Sequence, residues 1–333
     1  MSKKQLFQLR FFIILLFLIF IISILSGSFS ISFSDLVNNK LKPLHSSVLY
    51  EIRLPRVILA ALVGASLSVS GACLQGLFRN PLADPGLIGV SSGAALGVAT
   101  TIVLTSGFFA SFSQYVLPIS GFIGSFLTII LLFYITKGFG YSGMTYLLLA
   151  GIAINAFAGV GIGFLTYLSN DQELRSLTFW TMGSFGGALW DLLIPALFCI
   201  IPSLIWVIRL SKKLDIIQLG EIEAQRLGVN IKKLRFSIIM SSAIIVGVSV
   251  SLSGMIGFVG LIVPHMIRMM GGVQHNFVLK SSIIFGACLM IIADLLSRTL
   301  ILPAELPVGL ITSAIGSPFF LWLIFTIRKQ QLK

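Results

Sequence analysis

The run FSIIMSSAIIVGVSVSLSGMIGFVGLIVPHMI, residues 236–267, contains 32 consecutive residues without an Asp, Glu, Lys or Arg. About 20 apolar residues are enough for an α-helix to cross the hydrocarbon core of a bilayer. The run is therefore either one long membrane span or two short spans that fold back at residues 251–254. This choice decides the topology of the rest of the chain, because one span more or less moves everything after it to the other face of the membrane.

The composition of the whole chain indicates a membrane protein. Of its 333 residues, 56% are hydrophobic and only 10% are charged, and the mean hydropathy is +1.03. Soluble domains carry about 25% charged residues. The 52-residue uncharged run 85–136 is too long for one span and is predicted to hold two, broken near residues 106–114. The other uncharged runs, each predicted to hold one span, are 11–34, 57–78, 138–170, 192–208, 281–293 and 306–327.

The distribution of basic residues decides how many spans residues 236–267 form. With two spans there, the chain has ten, and the face that holds both termini carries 17 of the 23 basic residues against 6 on the other. With one span, the ratio falls to 13 against 10. Basic residues accumulate on the cytoplasmic side of membrane proteins. We therefore predict an all-α polytopic protein of the cell membrane with ten transmembrane helices and both termini cytoplasmic.

Charge and motifs exclude several classes of function. The net charge of +12 is explained by this topology, so we expect no nucleic-acid partner. No G-x-x-x-x-G-K-[ST] phosphate loop and no H-E-x-x-H metal motif occur in the sequence, and its three cysteines lack metal-ligand spacing. We predict a transport body in contact with membrane lipid, without catalytic residues, a metal site or a bound cofactor, that is driven from elsewhere.

The longest predicted cytoplasmic loop, residues 209–235, is where a driving partner would attach. Its central part, LGEIEAQRLGVN at residues 219–230, mixes apolar and charged residues, and Gly220 and Gly228 punctuate two short helical segments. An amphipathic helix pair of this kind is typical of a docking element for another protein. The alternative is a helix that lies on the lipid headgroups.

Four groups of motifs follow one another from about residue 50 to the end of the chain. They are RLPR at 53–56 with QGLFRNPLADPGLIGVSSGA at 75–94, the loop motif at 220–230, FVGLIVPH at 258–265, and DLLSR at 294–298 with ELPVG at 305–309 and GSPFF at 316–320. In this order and at these intervals they resemble the permease subunits of ATP-binding-cassette (ABC) importers for ferric siderophores, haem and cobalamin, the FecCD-type permeases.

The resemblance implies a type II ABC importer permease that forms a single transmembrane domain over residues 1–333. Such permeases have ten helices per subunit and work as homodimers with the pathway at the dimer interface. Their partners are two cytoplasmic ATP-binding subunits, which bind ATP and Mg²⁺, and a periplasmic or lipoprotein substrate-binding protein. The chain itself is then not an enzyme, because ATPase activity resides in the partner subunits.

The resemblance also assigns roles to residues of this chain. The loop 209–235 becomes the element coupled to the ATPase. Coupling is expected at Gly220, Glu221, Ala224, Leu227 and Gly228. Docking of the binding protein is expected at Arg53, Arg56 and Arg298, with Asp294 and Glu305 pairing with Arg298. The cytoplasmic gate is expected at Asn80, Leu82, Met144 and Thr145.

The cargo is less sharply specified than the class of transporter. The motif at residues 78–86, together with ELPVG and the PFF ending, is most similar to the haem-importing branch. A ferric siderophore is a close second, and cobalamin is the further alternative. A secondary transporter without an ATPase is also possible by composition, but the glycine-punctuated loop argues against it.

Overall fold

The computed structural model describes residues 1–27, 38, 42–105, 113–136 and 143–331, and for residues 113, 143–145 and 326–331 the backbone alone. The described residues form helices and connecting turns, with no β-strand among them. In chain order the helices are α1 Lys3–Leu25, α2 Pro43–Phe78, α3 Val90–Leu104, α4 Ser113–Thr136, α5 Gly143–Leu168, α6 Asp171–Met182, α7 Trp190–Arg209, α8 Ser211–Ile217, α9 Glu221–Arg226, α10 Ile231–Ser253, α11 Val259–Gly271, α12 His275–Ser297 and α13 Val308–Gln331.

The break predicted within residues 236–267 is confirmed. Helix α10 ends at Ser253, and Gly254 then adopts φ 71°, where an added Cβ would lie 2.2 Å from the carbonyl oxygen of Trp180. Only glycine fits such a close approach in a left-handed conformation. Phe258, at φ 69°, immediately precedes the next helix, α11. The chain therefore reverses at a point that the sequence marks with small residues.

Eight of the described helices are long and apolar enough to cross a membrane, namely α1, α2, α4, α5, α7, α10, α12 and α13. Helices α3 and α11 occupy the places of the two remaining predicted spans but have 15 and 13 residues. At 1.5 Å per residue they are about 23 and 20 Å long, shorter than the roughly 30 Å hydrocarbon core. The count of ten spans therefore stays a prediction.

Helix α2 lies at the centre of the bundle, and its part from Leu54 to Phe78 is almost wholly buried among α10, α11 and α12. Its glycines set how closely the neighbouring backbones approach. A Cβ added to Gly64 would lie 2.2 Å from the carbonyl oxygen of Gly286 in α12, and one added to Gly71 would lie 1.9 Å from that of Gly260 in α11. Small residues at such crossings are the usual means of tight helix packing in membranes.

The bundle has two ends with different polar residues. The arginine end holds Arg53, Arg56 and Arg298, where α2 begins and α1 and α12 end. The loop end holds α8 and α9 together with the end of α2 and the start of α12. At the loop end, Gln5 of α1 donates a hydrogen bond to the carbonyl oxygen of Gly271. Helix α2 connects the two ends.

Candidate functional site

The arginine end contains a buried ion cluster around Arg56. Its Nε donates to Oδ1 of Asp294 at 2.8 Å, and Nη1 and Nη2 donate to the two carboxylate oxygens of Glu305 at 2.9 Å each. The Asp294 side chain is 0% exposed, whereas that of Glu305 is 47% exposed. A two-pronged arginine–carboxylate pair fixes the relative orientation of both groups. The exposed member of this group of three side chains is thus the carboxylate of Glu305.

The other two arginines tie the end of α1 to the cluster. Arg298 Nε lies 3.4 Å from Oδ2 of Asp294, and its Nη atoms donate to the carbonyl oxygens of Ser23 and Ser26. Nη1 of Arg53 donates to the carbonyl oxygen of Ile24 at 2.8 Å. The last carbonyls of a helix have no partner within the helix, so these guanidinium groups also cap α1.

The structure therefore brings together the three arginines predicted to receive a binding protein, but it buries all of them. Asp294 pairs with Arg298 as expected, whereas the prediction that Glu305 does so is wrong, because Glu305 binds Arg56. The reason is geometric: the linker between α12 and α13 is held by hydrogen bonds between Ser297 and Leu306, which place Glu305 beside the first turns of α2. Docking itself stays a prediction.

At the loop end, the two glycines that punctuate residues 209–235 delimit α9. Gly220, at φ 112°, precedes its first residue, and Gly228, at φ 82°, follows its end. The N–H of Gly228 donates to the carbonyl oxygen of Gln225, and that of Val229 donates to Ala224, each at 2.9 Å. This pair of bonds is the Schellman motif, which needs a left-handed residue at the glycine position. Added Cβ atoms would meet nothing within 4 Å, so the backbone alone demands glycine.

Helix α9 divides into a buried and an exposed side. Ala224 and Val229 are buried, and Glu221 pairs with Arg235 of α10. The exposed side carries three apolar side chains, each more than half exposed, which we call the apolar loop surface: Leu219, Ile222 and Leu227. A cluster of exposed large apolar side chains on a short helix marks an interaction site.

The predicted gate residues Asn80 and Leu82 lie in the turn that follows α2, which we call the gate turn. Arg79 ends the helix at φ 51°, and the side chain of Asn80 then accepts a hydrogen bond from the N–H of Leu82 at 2.9 Å. Both Asn80 and Leu82 are exposed. Burial raises the pKa of Asp84 in this turn, although its bond from the N–H of Gly86 acts in the opposite direction. The side chains of Met144 and Thr145 lie outside the described residues.

A cavity of about 680 Å³ lies beside the gate turn at the loop end. Four elements contribute residues to its lining. These residues include Gln75, Arg79 and Asn80 at the end of α2, Asp215 and Gln218 of the loop, Arg268 of α11 and His275 of α12. No sequence motif pointed to a role for Asp215, Gln218 or His275. Their only signals are local, a carboxylate next to the apolar residues Leu214 and Ile216 and a histidine at the first position of a span. Neither signal identifies a partner far along the chain.

Comparison with known proteins identifies a family and relatives that this chain resembles. Residues 15–326 match the model of the FecCD transport family. The chain is 46% identical over 324 residues to the hemin transport system permease protein of Yersinia pestis, covering 97% of each chain. It is 36% identical over 318 residues to the vitamin B12 import system permease protein of Shigella boydii, covering 95% of this chain and 94% of that one.

A solved structure resembles the whole chain. It is a metal-chelate type ABC transporter in an inward-facing conformation, with a TM-score of 0.85 and 34% sequence identity. The match covers 96% of this chain and 98% of that one. The helix order and the central position of α2 therefore belong to a transporter fold that is shared over its full length.

The burial of the ion cluster leads to a stability prediction. Asp294→Ala leaves Arg56 and Arg298 buried without their shared acid, which costs about 3–5 kcal/mol when one member of a buried pair is removed. The matched control is Glu223→Ala, which removes an exposed ion pair with Arg226 (2.8 Å) and costs at most about 1 kcal/mol. Thermal unfolding of the two variants in detergent measures the difference. Equal midpoints would show that the cluster does not stabilise the bundle.

Proposed function

The chain belongs to the FecCD transport family as the multi-pass permease subunit of an ABC importer, and we propose that it carries haem across the cytoplasmic membrane, driven by ATP hydrolysis on partner subunits. The observation that carries the cargo assignment is the higher identity to the hemin permease than to the vitamin B12 permease. In this proposal residues 1–333 form one permease domain, both termini are cytoplasmic, and the loop 209–235 couples it to the ATPase.

The uncovered face of α5 supports a pathway for a large apolar cargo. Phe157, Val160, Phe164 and Tyr167 are all more than 60% exposed, and Cβ atoms added to Gly159 and Gly163 would meet nothing within 4 Å. Helix α5 contains no charged residue. Haem is a flat, mostly apolar macrocycle, so such a face suits it. A second copy of the chain facing α5 would enclose the pathway, in accordance with the proposed homodimer.

Cobalamin is the second candidate cargo, because vitamin B12 permeases are also relatives over most of the chain. A ferric siderophore remains the other iron-bearing candidate. All three are bulky and delivered by a binding protein, so the coupling and gate proposals are the same for each of them.

Uptake measurements distinguish these cargoes. The permease, expressed with its ATP-binding and substrate-binding partners in a host without its own haem, siderophore and cobalamin permeases, is expected to restore growth on haem as the iron source. The Walker-motif lysine variant of the partner ATPase is the control and should abolish this growth. Growth on a ferric siderophore or uptake of cobalamin, but not of haem, would reject the cargo and keep the permease role. Uptake that survives the ATPase variant would indicate a secondary transporter.

The apolar loop surface supports the coupling proposal. Leu219, Ile222 and Leu227 would bury their side chains against the ATP-binding subunit, while Ala224 and the Glu221–Arg235 pair hold α9 on the bundle. Two left-handed glycines fix the direction in which this surface points. Burial of apolar groups of this size stabilises a complex by about 1.5–3 kcal/mol for each side chain.

Gly228 allows a matched test of that geometry. Gly228→Val forces a β-branched residue into the left-handed region, at a cost of about 1–2 kcal/mol or more, and should disrupt the Schellman turn. Gly228→Asn adds a side chain of similar size that tolerates this conformation. We expect uptake to be lost in the valine variant, with ATP hydrolysis by the assembled complex continuing, and to be kept in the asparagine variant. Wild-type uptake in both variants, at equal expression, would contradict the coupling role.

The arginine end is proposed as the docking site for the binding protein, with the arginines receiving its carboxylates. Because Arg56 is buried and already bound by Glu305 through both carboxylate oxygens, a partner acid reaches it only by displacing Glu305. Glu305 is the exposed member of the pair and lies in the short linker before α13, so it is the group that can move away.

Because Glu305 must be displaced, removing its charge is predicted to strengthen docking rather than to weaken it. Glu305→Gln removes the competing charge while keeping the side-chain size, and is expected to tighten binding of the binding protein by up to about fivefold at low salt, the range of a single surface ion pair. The gain should shrink as ionic strength rises. Glu51→Gln, at another exposed acid of the same end, is the control. Affinity that is unchanged or lower in the Glu305 variant, measured with the purified complex, would contradict docking at Arg56.

A further inference from the structure

The loop end contains a partly buried connection between α8 and α12 that neither the coupling nor the gate assignment includes. Oδ1 of Asp215 accepts a hydrogen bond from the backbone N–H of His275 at 2.9 Å and lies 2.7 Å from Nδ1 of the same residue. A carboxylate can only accept, so Nδ1 carries the proton. The His275 ring is buried, and its Nε2 has no hydrogen-bond partner among the described residues. This nitrogen faces the backbone of α2 instead.

The point of contact on α2 is Gly76. A Cβ added there would lie 2.4 Å from Nε2 of His275, so the imidazole rests directly on the glycine. In addition, Nε2 of Gln218 donates to the carbonyl oxygen of Gly76 at 2.7 Å and to that of Leu214 at 2.9 Å. We call this group of four residues, Asp215, Gln218, His275 and Gly76, the Gly76 clasp. It holds the last turn of α2 between the loop and α12.

The clasp lies between two elements for which roles are proposed above. Helix α8 is anchored by buried Leu214 and Ile217, and three residues separate it from α9, which carries the apolar loop surface. On the α2 side, Gln75 lies next to Gly76, and its carbonyl oxygen accepts hydrogen bonds from the N–H groups of Arg79 and Asn80. The clasp therefore connects the surface proposed to meet the ATPase with the turn proposed to form the gate.

We propose that the Gly76 clasp transmits displacement of α8 and α9 to the gate turn, which makes Asp215, Gln218 and His275 positioning residues for transport. The inference rests on the proposed function, because it needs an ATP-driven partner at the loop end. The physical basis is that a helix end held by a hydrogen bond from Gln218 and by direct contact with the buried His275 ring moves with the groups that hold it. Without the clasp, α8 and α9 shift while α2 stays in place.

A purely structural role would look different in experiments. If the clasp only stabilises the bundle, its loss lowers the amount of folded protein, and uptake and ATP hydrolysis fall together. If it transmits motion, the assembled complex still hydrolyses ATP, but fewer cargo molecules are delivered per ATP. The ratio of cargo delivered to ATP hydrolysed, measured in proteoliposomes containing the whole complex, separates these two cases.

The variants follow from the contacts. Asp215→Ala removes both bonds to residue 275, and His275→Ala removes the imidazole and its contact with Gly76. Gln218→Ala removes the bond to Gly76 from an exposed position, where folding is least affected. In each we expect the ratio to fall by roughly two- to thirtyfold, the range for residues that couple distant sites. Asp215→Asn keeps an acceptor for the N–H of His275 and should retain most of the ratio. Asp171→Ala, at an exposed acid in the first turn of α6, is the control and should leave it unchanged.

A double-mutant cycle completes the test. Because Asp215 holds the His275 ring in place, the two side chains act in series, and the double alanine variant should lose less of the ratio than the two single losses combined. Additive losses, an unchanged ratio in Gln218→Ala, or a parallel fall of uptake, ATP hydrolysis and folded protein would each overturn the inference. A wild-type complex that takes up cargo without hydrolysing ATP would instead contradict the proposed function, so the two failures are distinguishable.

Discussion

The close backbone packing of α2 is the constraint on which the other features depend. Gly64 and Gly71 allow the helix to approach α12 and α11 so closely that no side chain fits at either crossing. In a bilayer, lipid tails are as apolar as leucine, so close packing and internal hydrogen bonds stabilise the bundle in place of a hydrophobic driving force between helices. Both candidate functional ends of the protein are attached to this one helix, the arginine cluster through Arg53 and Arg56 and the gate turn just beyond its last residue.

The arginine cluster shows how charge is accommodated at one end of such a helix. A buried ion is costly unless it is paired and its remaining donors are satisfied. Arg56 meets this condition with Asp294 and Glu305. Arg53 and Arg298 donate to the last carbonyls of α1, and Arg298 also lies 3.4 Å from Asp294. The cluster thus joins α1, α2 and α12 with the linker that follows α12. In the docking proposal, an acid of another protein enters this network by exchange, because the three arginines of the cluster are buried.

The sequence predicted most of what depends on local pattern. Uncharged runs located the helices, and the small residues near 254 located the reversal between α10 and α11. Gly220 and Gly228 were recognised as the limits of a short segment, since left-handed conformations are a local property. The bond of Arg56 to Glu305 and the contact of His275 with Gly76 join residues about 200 or more positions apart. One sequence does not reveal such distant contacts, nor does it reveal that Arg56 is buried. The short lengths of α3 and α11 were also not predictable from the sequence, because an uncharged run does not mark where its helix ends.

Helix α2 also explains why motion would appear at the gate turn rather than elsewhere. The glycine crossings lock the middle of the helix against its neighbours, because backbone-to-backbone contacts leave no room for sliding or bending. The first irregular point after these crossings is Arg79, a non-glycine residue at φ 51°, followed by Pro81 and Pro85, which cannot continue a helix. A left-handed arginine costs about 1–2 kcal/mol relative to a helical one, so the turn is held by its surroundings rather than by its own preference. A displacement at the last turn of α2 is therefore absorbed at residues 79–85, where Asn80 and Leu82 already face outward.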